Sequence, residues 1–185
     1  MSASVDVWVI SGPSAVGKGT VCARLRELHP ELFYSVSLTT RPPRVGEVDG
    51  VSYHFVEVDE FRRMIEQGEL LEWAVVHGTH YYGTPRTPVV EAVAAGRPVV
   101  LEIDLQGARQ VKRNLPSARI VFLAPPTWDE LVSRLRGRGT EDEAAQERRL
   151  STARLELEAQ AEADFVVENR RIEETVDALV SLMGL

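Results

Sequence analysis

The sequence predicts an α/β protein with a doubly wound parallel sheet. Apolar, strand-like runs recur along the chain, at 5–10, 98–103, 119–123 and 164–167. Their near-continuous apolarity is typical of strands that are buried on both faces of a parallel sheet. Helical patterns lie between the runs, and the alternation of strands with helices indicates the doubly wound arrangement.

The helices have sequence signals of their own. Residues 21–28, after the first strand, favour a helix. Thr127 and Glu130 form a capping-box pattern, which predicts that another helix begins there. A long helix is predicted around 144–162, and a last one from about 172 to 183.

Two segments interrupt the alternation. Residues from about 39 to 97 contain a short alternating strand at 53–56, a helix over 59–67 and more strand-like sequence around 71–76. We interpret this segment as an inserted lobe. The stretch 137–143 is rich in glycine and charge, a composition that suits a mobile cover and equally an ordinary surface loop.

Length and composition indicate one sizeable globular domain. The chain has 185 residues, and 44% of them are hydrophobic, a normal share that provides a core. The net charge of −7 argues against a general nucleic-acid binder. No apolar run approaches the roughly 20 residues that span a bilayer, so no membrane partner is expected. The sequence leaves the oligomeric state open.

The numbers of cysteines and histidines indicate the cellular compartment and limit the kinds of metal site that are expected. The single cysteine, Cys22, excludes an internal disulfide, and no secretory signal precedes the first strand. We therefore expect a cytoplasmic enzyme. The four histidines form no Cys/His cluster, so a structural zinc site is not expected.

A glycine-rich loop lies between the first strand and the first helix. It consists of Gly12, Pro13, Ser14, Ala15, Val16, Gly17, Lys18, Gly19 and Thr20. Glycines let several backbone N–H groups converge on one anion, and the helix N-terminus adds partial positive charge. The loop therefore predicts a nucleotide-phosphate site, with a glycine-rich turn that binds nothing as the alternative. Because Gly19 stands where Ser or Thr usually follows the lysine, the Mg²⁺ ligand is left open between Thr20, Glu102 and water.

Arginines supply further candidate phosphate ligands. Arg41 and Arg44 flank two prolines that stiffen an extended segment, and two guanidinium groups at this spacing suit a phosphate. A solvated basic turn explains the same pattern. Arg134 and Arg138 are four residues apart on one helix face, and Arg149 could close over the same site. Surface charge is the alternative for this second set.

Two acids follow an apolar strand. Glu102 and Asp104 are two residues apart, so their side chains share one face if the strand continues through them. They stand at its C-terminal end, where open α/β sheets bind ligands. One of them could organise Mg²⁺ through water. Glu72, by itself, is equally explained as a solvated acid at a strand start.

Several separate motifs together make a family resemblance. These motifs are 35–55, 71–74 (Leu-Glu-Trp-Ala), 81–84 (Tyr-Tyr-Gly-Thr), 103–107 (Ile-Asp-Leu-Gln-Gly) and 137–140 (Gly-Arg-Gly-Thr). With them, the chain resembles the guanylate kinase family over nearly its whole length. Ala15 and Gly19 depart from the residues usual in the family's phosphate loop.

The resemblance implies a fold and a reaction. The fold is a P-loop kinase core at 1–38 and 98–185, with a parallel five-stranded sheet flanked by helices. An inserted mixed α/β lobe at 39–97 binds GMP, and a short lid lies at about 137–145. The reaction transfers the γ-phosphoryl group of ATP to GMP, and to dGMP, giving ADP and GDP in purine nucleotide metabolism. Mg²⁺ accompanies ATP.

The resemblance also assigns roles to residues. The residues assigned to the GMP phosphate are Ser37, Arg41, Arg44, Tyr53 and Tyr82. Those assigned to guanine are Glu72, Thr84 and Asp104. Lys18, Arg41, Arg134, Arg138 and Arg149 would act on the transferring phosphoryl group. ATP is assigned to residues 12–20 and Asn169. The Mg²⁺ ligand stays open between Thr20, Glu102 and water. The chemistry agrees, because a carboxylate accepts from guanine N1–H and the exocyclic amine, whereas adenine lacks that donor pair.

Three alternative functions are compared with this interpretation. A non-catalytic, guanylate-kinase-like module that binds peptides is disfavoured because the lysine and cover arginines of the site are present. A related kinase acting on a sugar phosphate is disfavoured by the three predicted guanine contacts. A nucleotide-binding regulator without turnover is not excluded by the sequence.

Overall fold

The computed structural model describes residues 7–76, 79–137 and 143–185, without the side chains of 143–146. Its strands are β1 (Val7–Ser11), β2 (Phe33–Tyr34), β3 (Leu38–Thr39), β4 (His54–Phe55), β5 (Leu70–Val76), β6 (His80–Pro85), β7 (Val99–Glu102), β8 (Arg119–Ala124) and β9 (Phe165–Glu168). Its helices are α1 (Lys18–Leu28), α2 (Val58–Glu66), α3 (Arg86–Ala94), α4 (Leu105–Asn114), α5 (Trp128–Arg136), α6 (Glu143–Glu158) and α7 (Ile172–Met183). A short 3₁₀ helix covers Ala159–Glu162.

The predicted parallel five-stranded sheet, flanked by helices, is confirmed. Its strand order is β2-β7-β1-β8-β9. The pairings of β1 with β8, β8 with β9 and β2 with β7 are parallel. Every residue of β1 is buried, as the continuous apolar run predicts for a central strand.

The inserted segment contains a second, four-stranded sheet with the order β4-β3-β6-β5. In this sheet β6 pairs antiparallel with both β3 and β5, and β3 pairs parallel with β4. Leu38, Phe61 and Leu70 form a buried cluster beneath it, with Tyr81 packed against that cluster. Helix α2, which carries Phe61, is thereby attached to the sheet.

The chain divides into two compact units. One comprises Val7, 31–101 and 106–118, and the other comprises 8–30, 102–105 and 119–185. The first contains the four-stranded sheet, and the second contains the phosphate loop. Among the described residues, no helix is long and apolar enough to cross a bilayer.

The predicted helices are present, with boundaries that differ by up to four residues: α1 begins at Lys18 and not at Val21, and α7 has the predicted bounds. Thr127 is the N-cap of α5, and its hydroxyl accepts from the N–H of Glu130 at 3.2 Å, as the capping-box pattern predicts. The long helix predicted around 144–162 is α6, which ends at Glu158 and continues as the 3₁₀ turn. Of the predicted cover at 137–143, residues 138–142 lie outside the described residues.

Candidate active site

The loop between β1 and α1 has a backbone that requires glycine at two positions. Gly12 has a φ of 143°, and a Cβ there would lie 2.4 Å from the carbonyl oxygen of Leu123. Gly17 has a φ of 104°, and its Cβ would lie 2.6 Å from Nδ2 of Asn169. Both separations are too short for real atoms. Helix α1 begins directly after Gly17. Its first backbone N–H groups, which have no acceptor within the helix, therefore lie at the end of the loop.

Ala15 is strained within this loop. It is the non-glycine residue with a positive φ, 64°, in the described part of the chain. The left-handed region costs a residue with a Cβ about 1–2 kcal/mol, whereas glycine in the unfolded chain has roughly 0.5–1 kcal/mol more entropy to lose. We therefore expect Ala15→Gly to raise the free energy of unfolding by about 0.5 kcal/mol in urea denaturation.

Ala23→Gly is the matched control for that prediction. Ala23 is exposed in the middle of α1, with ordinary helical backbone. Glycine at such a position lowers helix stability by about 1 kcal/mol. If Ala15→Gly destabilised the protein as much as the control does, the strain at Ala15 would be refuted.

Lys18, the first residue of α1, lies among acceptors and carboxylates. Its Nζ donates to the carbonyl oxygens of Gly12 at 2.6 Å and Pro13 at 3.2 Å. Burial lowers the pKa of Lys18, and nearby carboxylates oppose that shift. Those carboxylates belong to Glu156, Glu102 and Asp104. The ammonium is thus held against the loop that is predicted to bind phosphates.

The carbonyl of Val16 is held by two predicted site residues. Nη1 of Arg134 donates to it at 3.0 Å, and Nδ2 of Asn169 donates to it at 2.8 Å. Nη2 of Arg134 also donates to the carbonyl of Asn169 at 3.2 Å, and the guanidinium pairs with Glu130. In this structure Arg134 and buried Asn169 therefore support the loop from the protein side. Their predicted contacts with the phosphoryl group and with the ATP base remain predictions.

Of the candidate Mg²⁺ ligands, Thr20 is the last residue of the loop and Glu102 lies beside Gly19. A Cβ on Gly19 would lie 3.5 Å from Oε1 of Glu102. The Cys22 thiol donates a hydrogen bond to Glu102, and desolvation raises the pKa of that carboxyl. Thr20 is exposed on the first turn of α1. Among the described residues, no three His, Cys, Asp or Glu side chains form a group that could hold a metal ion alone. A site completed by nucleotide phosphates and waters fits Mg²⁺, which keeps few protein ligands.

Arg41 organises the second group of predicted residues, on the four-stranded sheet. Only 8% of Arg41 is exposed. Its Nε donates to the hydroxyl of Tyr82 at 3.0 Å, and its Cζ lies 5.2 Å from the ring centroid of Tyr53. The rings of Tyr53 and Tyr82 meet edge to face at 5.8 Å. The structure therefore brings these three predicted phosphate ligands together.

Glu47 is a residue of this group that the sequence reasoning missed. Its Oε2 and Oε1 accept from Nη1 and Nη2 of Arg41 at 2.7 and 2.9 Å, and Oε2 also accepts from the backbone N–H of Arg44 at 2.7 Å. These bonds lower the pKa of Glu47 to about 2. The ion pair therefore contributes stability above the ordinary carboxyl pKa, and that contribution is lost as the pH falls towards 2. Gly46, with φ 88°, turns the chain back so that Glu47 reaches Arg41.

Glu72 and Thr84 form a buried polar pair on the same sheet. They are directly opposite each other in the antiparallel pairing of β5 with β6. Thr84 Oγ1 donates to Oε1 of Glu72 at 2.6 Å, and the two residues are only 1% and 5% exposed. Because Tyr82 and Thr84 are two residues apart on β6, their side chains share one face, about 7 Å apart along the strand. The predicted base contacts Glu72 and Thr84 and the predicted phosphate contact Tyr82 therefore lie side by side on one face of this sheet.

The remaining predicted residues are placed as follows. Ser37 precedes β3, and its carbonyl accepts from the N–H of His54 at 2.9 Å. Arg44 is exposed, Asp104 follows β7 in the unit that contains the phosphate loop, and Arg149 is half-buried on α6. Arg138 lies outside the described residues.

A family model described as guanylate kinase matches residues 4–184. The chain belongs to the guanylate kinase family. A guanylate kinase from Leifsonia xyli subsp. xyli is 58% identical over 175 residues, which cover 95% of this chain and 69% of that relative. One from Thermobifida fusca is 57% identical over 176 residues, 95% of this chain and 89% of the relative.

A solved structure agrees with the sequence comparisons. The crystal structure of guanylate kinase from Anaplasma phagocytophilum matches with a TM-score of 0.81 and 34% identity, covering all of this chain and 87% of that one. The family resemblance and the P-loop kinase fold predicted from the sequence are thereby confirmed. The chain is a nucleoside monophosphate kinase, and the reaction of its family is ATP:GMP phosphotransfer.

Proposed function

We propose that this member of the guanylate kinase family transfers the γ-phosphoryl group of ATP to GMP and dGMP through the two groups of residues described above. The observation that carries the proposal is the pairing of a buried Glu72–Thr84 couple with the Arg41–Tyr82 cluster on one face of the four-stranded sheet. A purine base bearing two adjacent donors and a phosphate a nucleoside's length away matches that pattern.

GMP, as the phosphoryl acceptor, needs alignment and charge neutralisation more than it needs a general base. A phosphate monoester has a second pKa of about 6, so GMP is largely dianionic near neutral pH. We assign GMP phosphate to Arg41, Arg44, Tyr53, Tyr82 and Ser37, and we assign guanine to Glu72, Thr84 and Asp104. The buried Glu72 carboxylate would discriminate against AMP, which offers it no pair of donors.

The phosphate loop supplies the donor side of the reaction. We assign the ATP phosphates to residues 12–20, with Lys18 exchanging its two loop carbonyls for phosphate oxygens. Arg134, Arg138 and Arg149 are assigned to the transferring phosphoryl group, and Asn169 to the nucleotide base. Mg²⁺, held near Thr20 and Glu102, would neutralise the phosphate oxygens.

A coupled assay of ADP formation tests the proposed function. ATP and Mg²⁺ are supplied with GMP, dGMP, AMP, UMP or a ribose phosphate in turn. We expect turnover with GMP and dGMP and little with the others. Absence of GMP-dependent turnover would overturn the proposal and favour a peptide-binding module or a regulator, whereas turnover with ribose phosphate alone would favour a sugar-phosphate kinase. The proposal includes a cytoplasmic location and a role in purine nucleotide metabolism.

Glu47→Gln tests how Arg41 is positioned. The substitution keeps the shape of the side chain but removes the charge that binds both Nη atoms of Arg41 and the Arg44 amide. We expect the KM for GMP to rise by about threefold or more with kcat nearly unchanged, because the segment that carries both arginines loses its anchor. Steady-state kinetics with varied GMP measures this split.

Glu57→Gln provides the control for that substitution, since Glu57 precedes α2, is exposed and carries the same charge. Its KM for GMP should stay within about twofold of the wild-type value. A lower KM in Glu47→Gln would instead mean that Glu47 competes with the GMP phosphate for Arg41, and the positioning role would be wrong.

A further inference from the structure

A carboxylate from a distant helix is bound to the phosphate loop. Oε2 of Glu156, on α6, accepts from the backbone N–H of Ser14 at 3.2 Å. The two residues are 142 positions apart in the sequence, so the contact is made by the fold and not by a local turn. Glu156 is half-buried, and it is the nearby carboxylate with the largest opposing effect on the pKa of Lys18.

Two groups of the loop that would bind an anion, the Ser14 amide and the Lys18 ammonium, therefore have protein partners in this structure. The Ser14 amide donates to Glu156, and Lys18 Nζ donates to the carbonyl oxygens of Gly12 and Pro13. A carboxylate on a loop amide next to a lysine is the arrangement that a nucleotide phosphate would make with the same donors.

The carboxylate of Glu156 is not in an environment that favours its charge. Burial and the neighbouring Asp104 raise the pKa of Glu156, while the Ser14 amide and Lys18 lower it, and the net direction is upward. A triphosphate arriving in the loop adds further negative charge beside this carboxylate and draws Lys18 towards itself. Repulsion between the two anions then opposes nucleotide binding.

We propose that Glu156 is a positioning residue of the phosphate-binding loop, whose carboxylate holds the Ser14 amide while the loop is empty and competes with the phosphates of the incoming nucleotide. The proposal rests on the proposed function, because it requires ATP and ADP to bind in this loop. It separates two properties of Glu156. The hydrogen bond to Ser14 keeps the loop in place, and the negative charge weakens nucleotide affinity.

Glu156→Gln separates these two properties, since glutamine keeps a carbonyl oxygen that accepts from Ser14 but carries no charge. Isothermal titration calorimetry of the full chain with ADP and Mg²⁺ measures the affinity. We expect the Kd for ADP to fall by about three- to tenfold. The KM for ATP should fall in the same direction, while the KM for GMP stays unchanged, a split that a general loss of structure would not produce.

Glu158→Gln is the matched control, because Glu158 is exposed on the same helix and loses the same charge. Its Kd for ADP should stay within about twofold of wild type, which excludes a long-range effect of net charge. An unchanged or weaker ADP affinity in folded Glu156→Gln overturns the proposal.

Glu156→Asp decides the matter if the glutamine variant does not fold. Aspartate keeps the charge but is one methylene shorter, so its carboxylate is withdrawn from the loop. ADP affinity above wild type supports competition, and equal or weaker affinity overturns it. Wild-type protein measured alongside distinguishes the two proposals. If it neither binds ADP nor turns over GMP, the proposed function fails, whereas a functional wild type with no gain in the variants refutes only the role of Glu156.

Discussion

Lys18→Ala is expected to lower kcat by about a thousandfold or more while the affinity for GMP changes by less than about threefold. Lys18 is the cation of the phosphate loop, and it is held against Gly12 and Pro13 in this structure. In the proposed reaction, alanine would leave the developing charge on the transferring phosphoryl group without that cation. Pre-steady-state or steady-state turnover with saturating GMP measures the effect on kcat, and calorimetry with GMP measures binding.

Stability must be followed in the same variant. Lys18 is surrounded by carboxylates whose charges it partly compensates, so its removal leaves them facing one another. Urea denaturation shows whether the variant is folded at the assay temperature. Lys112→Ala is the control, since Lys112, on α4, donates to the carbonyl of Ala118 and has no assigned part in the reaction. Loss of GMP binding by folded Lys18→Ala would contradict the role given to Lys18.

The core of the fold could be predicted because three of its strands, β1, β7 and β8, are buried over most of their length on both faces. Continuous apolar runs locate β1, β7, β8 and β9 within one or two residues, and the capping pattern at Thr127 locates the start of α5. Strands β2, β3 and β6 were not predicted. The two-residue strand β4 was located as part of a longer alternating run at 53–56, whereas β2 and β3, which are also two residues long, lie in no such run. Two residues carry no measurable periodicity, and these strands form because their sheets provide partners.

The candidate site was predictable where chemistry is local in sequence. The residues of the glycine loop are consecutive in the sequence, and so are those around Pro42 and Pro43. In each segment, the residue types and their spacing indicate phosphate binding. Glu47 could have been found, because Gly46 beside it favours a turn back towards Arg41. Glu156 could not, because only the packing of α6 brings it to Ser14. The contact of Arg134 with the Val16 carbonyl is equally a product of the fold.

Glu72→Gln is expected to lower kcat/KM for GMP by about a hundredfold. The Glu72 carboxylate is buried and accepts from Thr84, and in the proposed complex it also accepts from N1–H and the exocyclic amine of guanine. A glutamine amide presents an NH₂ group where a guanine donor needs an acceptor. A buried donor facing another donor is left unpaired, and its desolvation is not compensated. Both KM and kcat should change, because the base is misplaced as well as weakly held.

The comparison of GMP with IMP makes this prediction specific, because IMP lacks the exocyclic amine and offers the carboxylate one donor instead of two. Wild-type protein should prefer GMP over IMP. The preference should shrink in Glu72→Gln, since the variant has no carboxylate to accept a hydrogen bond from the exocyclic amine of guanine. Glu66→Gln, exposed at the end of α2, changes the same charge and should leave the preference unchanged. If folded Glu72→Gln instead lost turnover of GMP and of IMP by equal factors, Glu72 would support the sheet through Thr84 and would not recognise the base. In that case the specificity of the site would have to come from Thr84 and Asp104.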